Sequence, residues 1–124
     1  MRYEVTDADT AVSVGSGDVP VLTAPRLIAW LEAATLQASA PFISGGQTTV
    51  GTAIRVQYLR PSRRGDRVDV TAEPPASSVG KRLTFLVKAI DGSGELVATG
   101  EIDRAIVDRN QFLAMALASQ RAEQ

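Results

Sequence analysis

The chain has 124 residues, of which 44% are hydrophobic and 22% are charged, and its net charge is −1. This composition is typical of one globular domain, which we expect to span residues 1–124, and the near-neutral charge argues against a nucleic-acid or anionic-membrane partner. The sequence contains neither cysteine nor histidine. Disulfides and thiolate chemistry are therefore excluded, and with the commonest metal ligand missing we expect no metal and no cofactor.

No apolar run is long enough to cross a bilayer. The first residues do not show the charged and apolar regions of a signal peptide. We therefore expect a cytoplasmic protein that does not interact with membranes.

The first 41 residues predict short strands followed by one long helix. Residues 2–14 ("RYEVTDADTAVSV") predict one or two short strands broken at "DAD", and "GSGDVP" has the composition of a turn. The helix is predicted from Ala24 to about Ala40, with Thr23 as a possible cap, Pro25 in the first turn and Pro41 after the end. Because this helix is apolar on nearly all sides, we expect it to be buried on most of them.

From Thr48 onward, alternating apolar and polar residues predict strands. The predicted strands are "TTVGTAIRVQYL", "RVDVTAEP", "KRLTFLVKAI" and "LVATGEIDRAIVD", joined by a turn at "RPSRRGD", a break at "PASSVG" and a hairpin turn at "DGSGE". The segment "RNQFLAMALASQRAEQ" predicts a C-terminal helix with a fraying tail. One apolar helix needs a sheet to cover it, so the elements predict an α+β fold with a curved antiparallel sheet wrapped around one long central helix.

Glu32 is an acid within the largely apolar sequence of the predicted central helix. One interpretation is a structural acid paired with an arginine, either Arg26 or one on the opposing sheet. The other is a functional carboxylate whose pKa is raised by apolar surroundings, so that it can activate water or act as a nucleophile.

Four segments, in this order and with this spacing, resemble the fluoroacetyl-CoA-thioesterase-like group of hotdog-fold thioesterases. They are "GSGDVPVLTAPRLIAWLEAAT", "GQTTVGTAIRVQYLRPSRRGDRV", "GKRLTFLVKAID" and "GEIDRAIVDRNQFLA". The resemblance runs from about Val12 to Ala114. It implies a hotdog fold, a homodimer or dimer of dimers, and hydrolysis of an acyl-CoA or related carrier thioester at a dimer-interface site.

The resemblance also implies a catalytic threonine, glutamate and histidine. These positions fall on Ala24, Glu32 and Tyr58, with Thr23 next to the threonine position. Glu32 is thus the candidate general base or nucleophile, and Thr23 and Tyr58 are the other candidate catalytic residues. A tyrosine with an ordinary pKa near 10 cannot be a base at neutral pH. The alternative is a non-catalytic acyl-CoA-binding protein that has lost the family's threonine and histidine; a dehydratase is a third interpretation, although that activity usually needs a histidine.

Eight residues of helix place Ala24 about 12 Å from Glu32, so one carbonyl group cannot contact both. A site that combines a helix start with Glu32 would therefore draw on two chains, or its oxyanion donors would come from elsewhere in the fold.

Candidate substrate-binding residues surround this predicted site in the sequence. Ala24 occupies the helix start, and Gly51 either leaves room for the substrate or marks a strand bulge. Basic side chains in two turns could bind the phosphates of CoA or form a solvated surface. These side chains are Arg60, Arg63 and Arg64 in one turn, and Arg82 with Lys81 in the other.

Overall fold

The structure, a computed structural model, describes residues 1–75 and 77–122. The strands are β1 (Arg2–Glu4), β2 (Gln47–Tyr58), β3 (Arg67–Ala72), β4 (Ser77–Val79), β5 (Arg82–Asp91) and β6 (Leu96–Asp108). The helices are α1 (Ala11–Val14), α2 (Ala24–Ala38) and α3 (Arg109–Ala122), with 3₁₀ turns at Asp7–Asp9 and Ala40–Phe42. Ala76, in the predicted break, and the last two residues of the predicted tail lie outside the described residues. No helix within the described ranges is long and apolar enough to cross a membrane.

All strand pairings in the described sheet are antiparallel, as predicted. The strand order is β1-β3-β5-β6-β2, and β4 pairs with β5. β3 and β4 pair with different halves of β5 and follow one another along the same edge. β2 is the last strand in the order, so its outer edge has no partner within the described chain.

The central helix α2 packs against four strands: β2, β3, β5 and β6. Its buried face carries Leu27, Trp30, Leu31, Ala34 and Thr35. Tyr3 of β1 stacks on Trp30 with the ring centroids 4.3 Å apart. Val5 and Leu22 join the core from the segments before α2, and the strands contribute its other members, which are Val68, Val70, Leu83, Phe85, Val87, Ala89, Val97, Ala98 and Ile102. The predicted arrangement of a sheet around one central helix is therefore confirmed.

The predicted helix boundaries are close to the observed ones. α2 ends at Ala38, where about Ala40 was expected. The Ser39 hydroxyl donates to the carbonyl oxygen of Thr35 at 2.7 Å, and the chain then enters the 3₁₀ turn that contains Pro41. This side-chain bond and the proline end the helix slightly earlier than the apolar pattern indicates.

Two local predictions were wrong. The second of the short N-terminal strands is the helix α1, because Thr10 caps it by accepting a hydrogen bond from the Ser13 N–H and Gly15 ends it at φ +85°. The predicted break at "PASSVG" contains β4, which pairs with the start of β5. Both elements are three or four residues long, a length at which sequence periodicity carries little information.

The sheet covers only one side of α2 within a single chain. Ala24, Ala29 and Leu36 remain exposed on the other side. The expectation that the helix is buried on most sides is thus not met within one chain, because most of its packing comes from one face of one sheet.

Candidate functional site

Glu32 lies on α2 beside the residues that pack against the sheet. Its carboxylate Oε2 is 3.7 Å from Nη1 of Arg104 on β6. The Glu32 side chain is 36% exposed, whereas that of Arg104 is 7% exposed. The pair therefore combines a buried cation with a carboxylate that can still contact water or a ligand.

Arg104 is fixed by hydrogen bonds to two buried threonines. Its Nε and Nη2 groups donate to the hydroxyl and carbonyl oxygens of Thr49, both at 2.8 Å. Its Nη1 group donates to the Thr35 hydroxyl at 3.4 Å, and that hydroxyl donates to the carbonyl oxygen of Glu32 at 2.7 Å. Burial lowers the pKa of Arg104, and the negative charge of Glu32 opposes this effect. The guanidinium group thus has a fixed position on the inner side of the carboxylate.

Ser39 completes this polar network. The Thr49 hydroxyl donates to the Ser39 hydroxyl at 3.3 Å, and Ser39 donates to the backbone of Thr35. The network connects α2 to β2 and β6 through side chains that are almost wholly buried. A hydrogen-bonded network of this kind restricts the motion of its members, so the helix segment that carries Glu32 is held firmly against the sheet.

Gly51 provides the space that the carboxylate occupies. It pairs with Arg104 in the β2–β6 register, and a bulge at Thr52 follows. A Cβ atom on Gly51 would lie 2.7 Å from Oε2 of Glu32. The sequence predicted that Gly51 either marks a strand bulge or leaves room for the substrate. The bulge lies at the next residue, and the space left by the missing side chain holds the Glu32 carboxylate.

Gly51→Ala is expected to displace the Glu32 carboxylate and leave the fold intact. The new methyl group meets the end of a partly exposed, flexible side chain, and Gly51 does not have a positive φ. We expect the free energy of unfolding to stay within about 1 kcal/mol of wild type, while any reaction that depends on the position of this carboxylate should slow by roughly tenfold to a hundredfold. Urea denaturation measures the first effect, and a thiol-release assay on the thioesters that the sequence resemblance implies measures the second. A large loss of stability, or unchanged turnover, would contradict this interpretation.

Thr23 and Tyr58 lie together at the other end of α2. The Tyr58 hydroxyl donates to the carbonyl oxygen of Leu22 at 2.8 Å, and the Thr23 hydroxyl is hydrogen-bonded to that of Ser16. Thr23 occupies the N-cap position, but its side chain makes no capping hydrogen bond. Burial raises the pKa of Tyr58, an effect partly opposed by the backbone N–H of Ser62, so Tyr58 is no base at neutral pH. Ala24, the next residue after Thr23, is exposed.

Within one chain the structure does not bring these residues together with Glu32. Gly51 and Tyr58 are seven residues apart on β2, which is about 23 Å of extended strand. Glu32 lies beside Gly51, whereas Tyr58 contacts Leu22, just before the start of α2. Both paths, about 12 Å along the helix and about 23 Å along the strand, are too long for one carbonyl group to contact both ends.

The basic side chains predicted to bind substrate are distributed over two distant places. Arg60 is 3.4 Å from Asp91, at the end of β5, and Arg64 is 3.2 Å from Asp7. Arg82 begins β5, about 30 Å of extended strand from Asp91. Arg82 and Lys81 therefore cannot share one small site with the 60–64 turn in the same chain.

Of the two partners predicted for Glu32, Arg26 is wrong, and an arginine on the opposing sheet is confirmed. Arg26 forms its ion pair with Asp9 at 3.2 Å, and Glu32 is paired instead with Arg104 on the sheet. Arg104 was not singled out from the sequence, although it alternates with Ile102 and Ile106, which face the core. An arginine on the apolar side of an alternating strand is the signal that could have identified it.

The sheet and helix define the hotdog fold. A hot-dog-like protein from Thermanaerovibrio acidaminovorans shares it, with a TM-score of 0.85 at 22% identity over 96% of this chain and 87% of that chain. A mutant of the fluoroacetyl-CoA-specific thioesterase FlK, solved in complex with fluoroacetate and CoA, has a TM-score of 0.87 at 26% identity, with 96% of each chain covered. The expected fold is therefore confirmed.

The sequence identifies the family within this fold. The model of the fluoroacetyl-CoA-specific thioesterase family, FlK, matches residues 5–110. Fluoroacetyl-CoA thioesterase from Streptantibioticus cattleyicolor is 35% identical over 88 residues, which cover 71% of this chain and 62% of that protein. The matched region thus spans less than two thirds of that relative. The chain belongs to the FlK family, as its sequence motifs predicted.

Proposed function

We propose that this protein hydrolyses an acyl thioester of CoA or a related carrier, with Glu32 as the general base or nucleophile. The observation that carries the proposal is the Glu32 carboxylate, which is accessible on one side and held by the buried Arg104 on the other. Membership of the FlK family supports the reaction class. The CoA complex of FlK supports CoA as the thiol carrier.

The chemistry requires one proton acceptor and one attacking oxygen. As a general base, Glu32 removes a proton from water while the water oxygen attacks the thioester carbonyl carbon. The resulting oxyanion intermediate breaks down by cleavage of the carbon–sulfur bond, and the thiolate takes up a proton as it leaves. As a nucleophile, Glu32 attacks the same carbon directly, and water then hydrolyses the acyl-enzyme anhydride. In either case Arg104, 3.7 Å from the carboxylate, orients it.

Fluoroacetyl-CoA is not the substrate that we expect. The positions of the family threonine and histidine hold Ala24 and Tyr58, so this chain lacks two of the three side chains that the family resemblance implies. We expect a thioester that can be hydrolysed without a histidine.

The unpaired edge of β2 supports a homodimer in which this strand pairs with its own copy. β2 is twelve residues long and contains neither proline nor lysine, two residues that commonly protect an edge strand. Ile54, on the same face of β2 as Val56, is 41% exposed in the single chain. Antiparallel pairing of two such strands would bring Gly51 of one chain towards Tyr58 of the partner subunit. One site would then combine Glu32 with the start of the partner's central helix.

Wild-type protein is expected to sediment as a dimer at micromolar concentration, and Ile54→Asp as a monomer. A charge on this strand would be buried without a partner in the dimer, but would stay solvated in the monomer. Val79→Asp is the matched control, because Val79 is 65% exposed on β4, away from the β2 edge. Sedimentation velocity measures all three proteins. A monomeric wild type, or a dimeric Ile54→Asp, would argue against this interface.

A thiol-release assay over a panel of acyl-CoA and carrier thioesters tests the proposed activity directly. Turnover of any member by wild type, and its loss in Glu32→Gln, supports the proposal. Hydrolysis that is equally fast in the variant excludes the role given to Glu32.

The alternative is a binding protein that retains the acyl site without the chemistry. The specific observation in its favour is that the hydroxyls of Thr23 and Tyr58 both make hydrogen bonds within the chain. Thermal stabilisation by acyl-CoA without turnover on any thioester would support this alternative, since a ligand that binds only the native state stabilises it.

A further inference from the structure

We propose that a pocket between the 60–67 segment and the β5–β6 turn binds the phosphates of the substrate's nucleotide. The inference rests on the proposed function and names the part of a CoA thioester that this region recognises. The pocket has a volume of about 470 Å³, and the side chains of Arg60, Arg63 and Arg67 line it.

The carboxylates in the pocket wall are already engaged. The side chain of Asp66 accepts a hydrogen bond from the backbone N–H of Arg63 at 2.8 Å. Asp91 accepts hydrogen bonds from the backbone N–H groups of Ser93 and Glu95 at 2.8 and 3.0 Å. These bonds form the turns themselves, so the two acids have a structural role in the pocket wall.

The three arginines differ in their ion pairs. Arg60 is 3.4 Å from Asp91 and 3.9 Å from Glu95, and Arg67 is 3.5 Å from Asp69. Arg63 makes no ion pair within the described part of the chain, so its guanidinium group is the one that a ligand in the pocket can neutralise. A guanidinium group binds phosphate oxygens with two parallel hydrogen bonds. A diphosphate or phosphate monoester is the class of ligand that fits this arrangement.

The pocket is connected to the start of the central helix. The N–H of Leu22 donates to the carbonyl oxygen of Ser62 at 2.8 Å, and Arg63 forms a β-bridge with Val21. A nucleotide held here would lie near Thr23 and Tyr58. The flexible pantetheine arm of CoA could then run from this end of the domain into the proposed interface, towards a partner's carboxylate.

This assignment divides the basic residues that the sequence suggested for substrate binding. Arg60 and Arg63 line the pocket, and Arg67 joins them. Arg64 points to Asp7 outside the pocket, and Arg82 lies at the far end of β5.

The Arg63→Ala variant tests the pocket by comparing two substrates that carry the same acyl group on different thiols. One substrate is the acyl-CoA, and the other is the N-acetylcysteamine thioester, which keeps the reacting bond but has no nucleotide. We expect the KM for the CoA thioester to rise roughly tenfold through loss of a charged hydrogen-bond donor, with kcat unchanged. Both kinetic constants for the short thioester should match wild type. Arg64→Ala is the matched control, one residue along the same turn, and should match wild type on both substrates.

The other outcomes separate failure of the pocket from failure of the activity. Equal losses on both substrates, or no change on either, would overturn the assignment of this pocket to the phosphates of the nucleotide. If wild type hydrolyses neither thioester, the proposed activity is wrong. Titration calorimetry with CoA then tests phosphate binding in the pocket independently of turnover. Binding to wild type that is roughly tenfold weaker in Arg63→Ala would support it, while equal binding or none would overturn it.

Discussion

Glu32→Gln is expected to lower kcat for thioester hydrolysis by about 10²- to 10⁴-fold, the usual contribution of a positioned general base. The amide has nearly the same shape as the carboxylate, so it can occupy the space over Gly51. It cannot accept a proton from water at neutral pH, and it is a poor nucleophile. The KM should change little, because the substitution removes the reacting group and leaves the other residues of the site in place.

The design of this experiment has to account for Arg104. Glu32→Gln removes the countercharge of a buried guanidinium group, which costs stability as well as activity. Urea denaturation should therefore accompany the kinetics, at a temperature where the variant is folded. Glu73→Gln, at an exposed position after β3, is the matched control and should keep wild-type kcat. A folded Glu32→Gln protein with wild-type kcat would exclude Glu32 from the chemistry.

The sequence could predict the main elements because their signals are long and local. The central helix has a proline in its first turn and an apolar sequence over four turns, and the strands from residue 47 onward alternate between clear turn motifs. The short elements α1 and β4 depend on a cap or on pairing with a distant strand. Each of these elements has too few residues for its hydrophobic periodicity to distinguish a helix, a strand and a loop.

The candidate site was predictable in part for a related reason. The choice of Glu32 as a candidate and its distance from the helix start follow from one helix and need no tertiary information. The pairing with Arg104 depends on the β2–β6 register and on the packing of α2 over Gly51, which involve residues far apart in the sequence. Arg26 is the arginine nearest to Glu32 in the sequence, but it forms an ion pair with Asp9 of the N-terminal segment.

Arg104→Met is expected to lower the free energy of unfolding by about 3 kcal/mol. The methionine keeps much of the apolar volume but provides none of the three hydrogen-bond donors that Thr49 and Thr35 accept from. Buried acceptors that lose their partners cost about 1–3 kcal/mol each, and the partial exposure of Glu32 limits the additional cost of its unpaired charge.

Turnover should fall together with stability in Arg104→Met, because the Glu32 carboxylate loses the group that orients it. Arg104→Lys separates the two roles, since it keeps a positive charge near Glu32 but cannot reproduce the fork of bonds to Thr49. We expect the lysine variant to recover more of the turnover than of the stability. Urea denaturation midpoints and kcat values for the two variants provide the comparison, with the exposed Arg2→Met as the matched control. If Arg104→Met were as stable and as active as wild type, the buried arginine would support neither the fold nor the carboxylate.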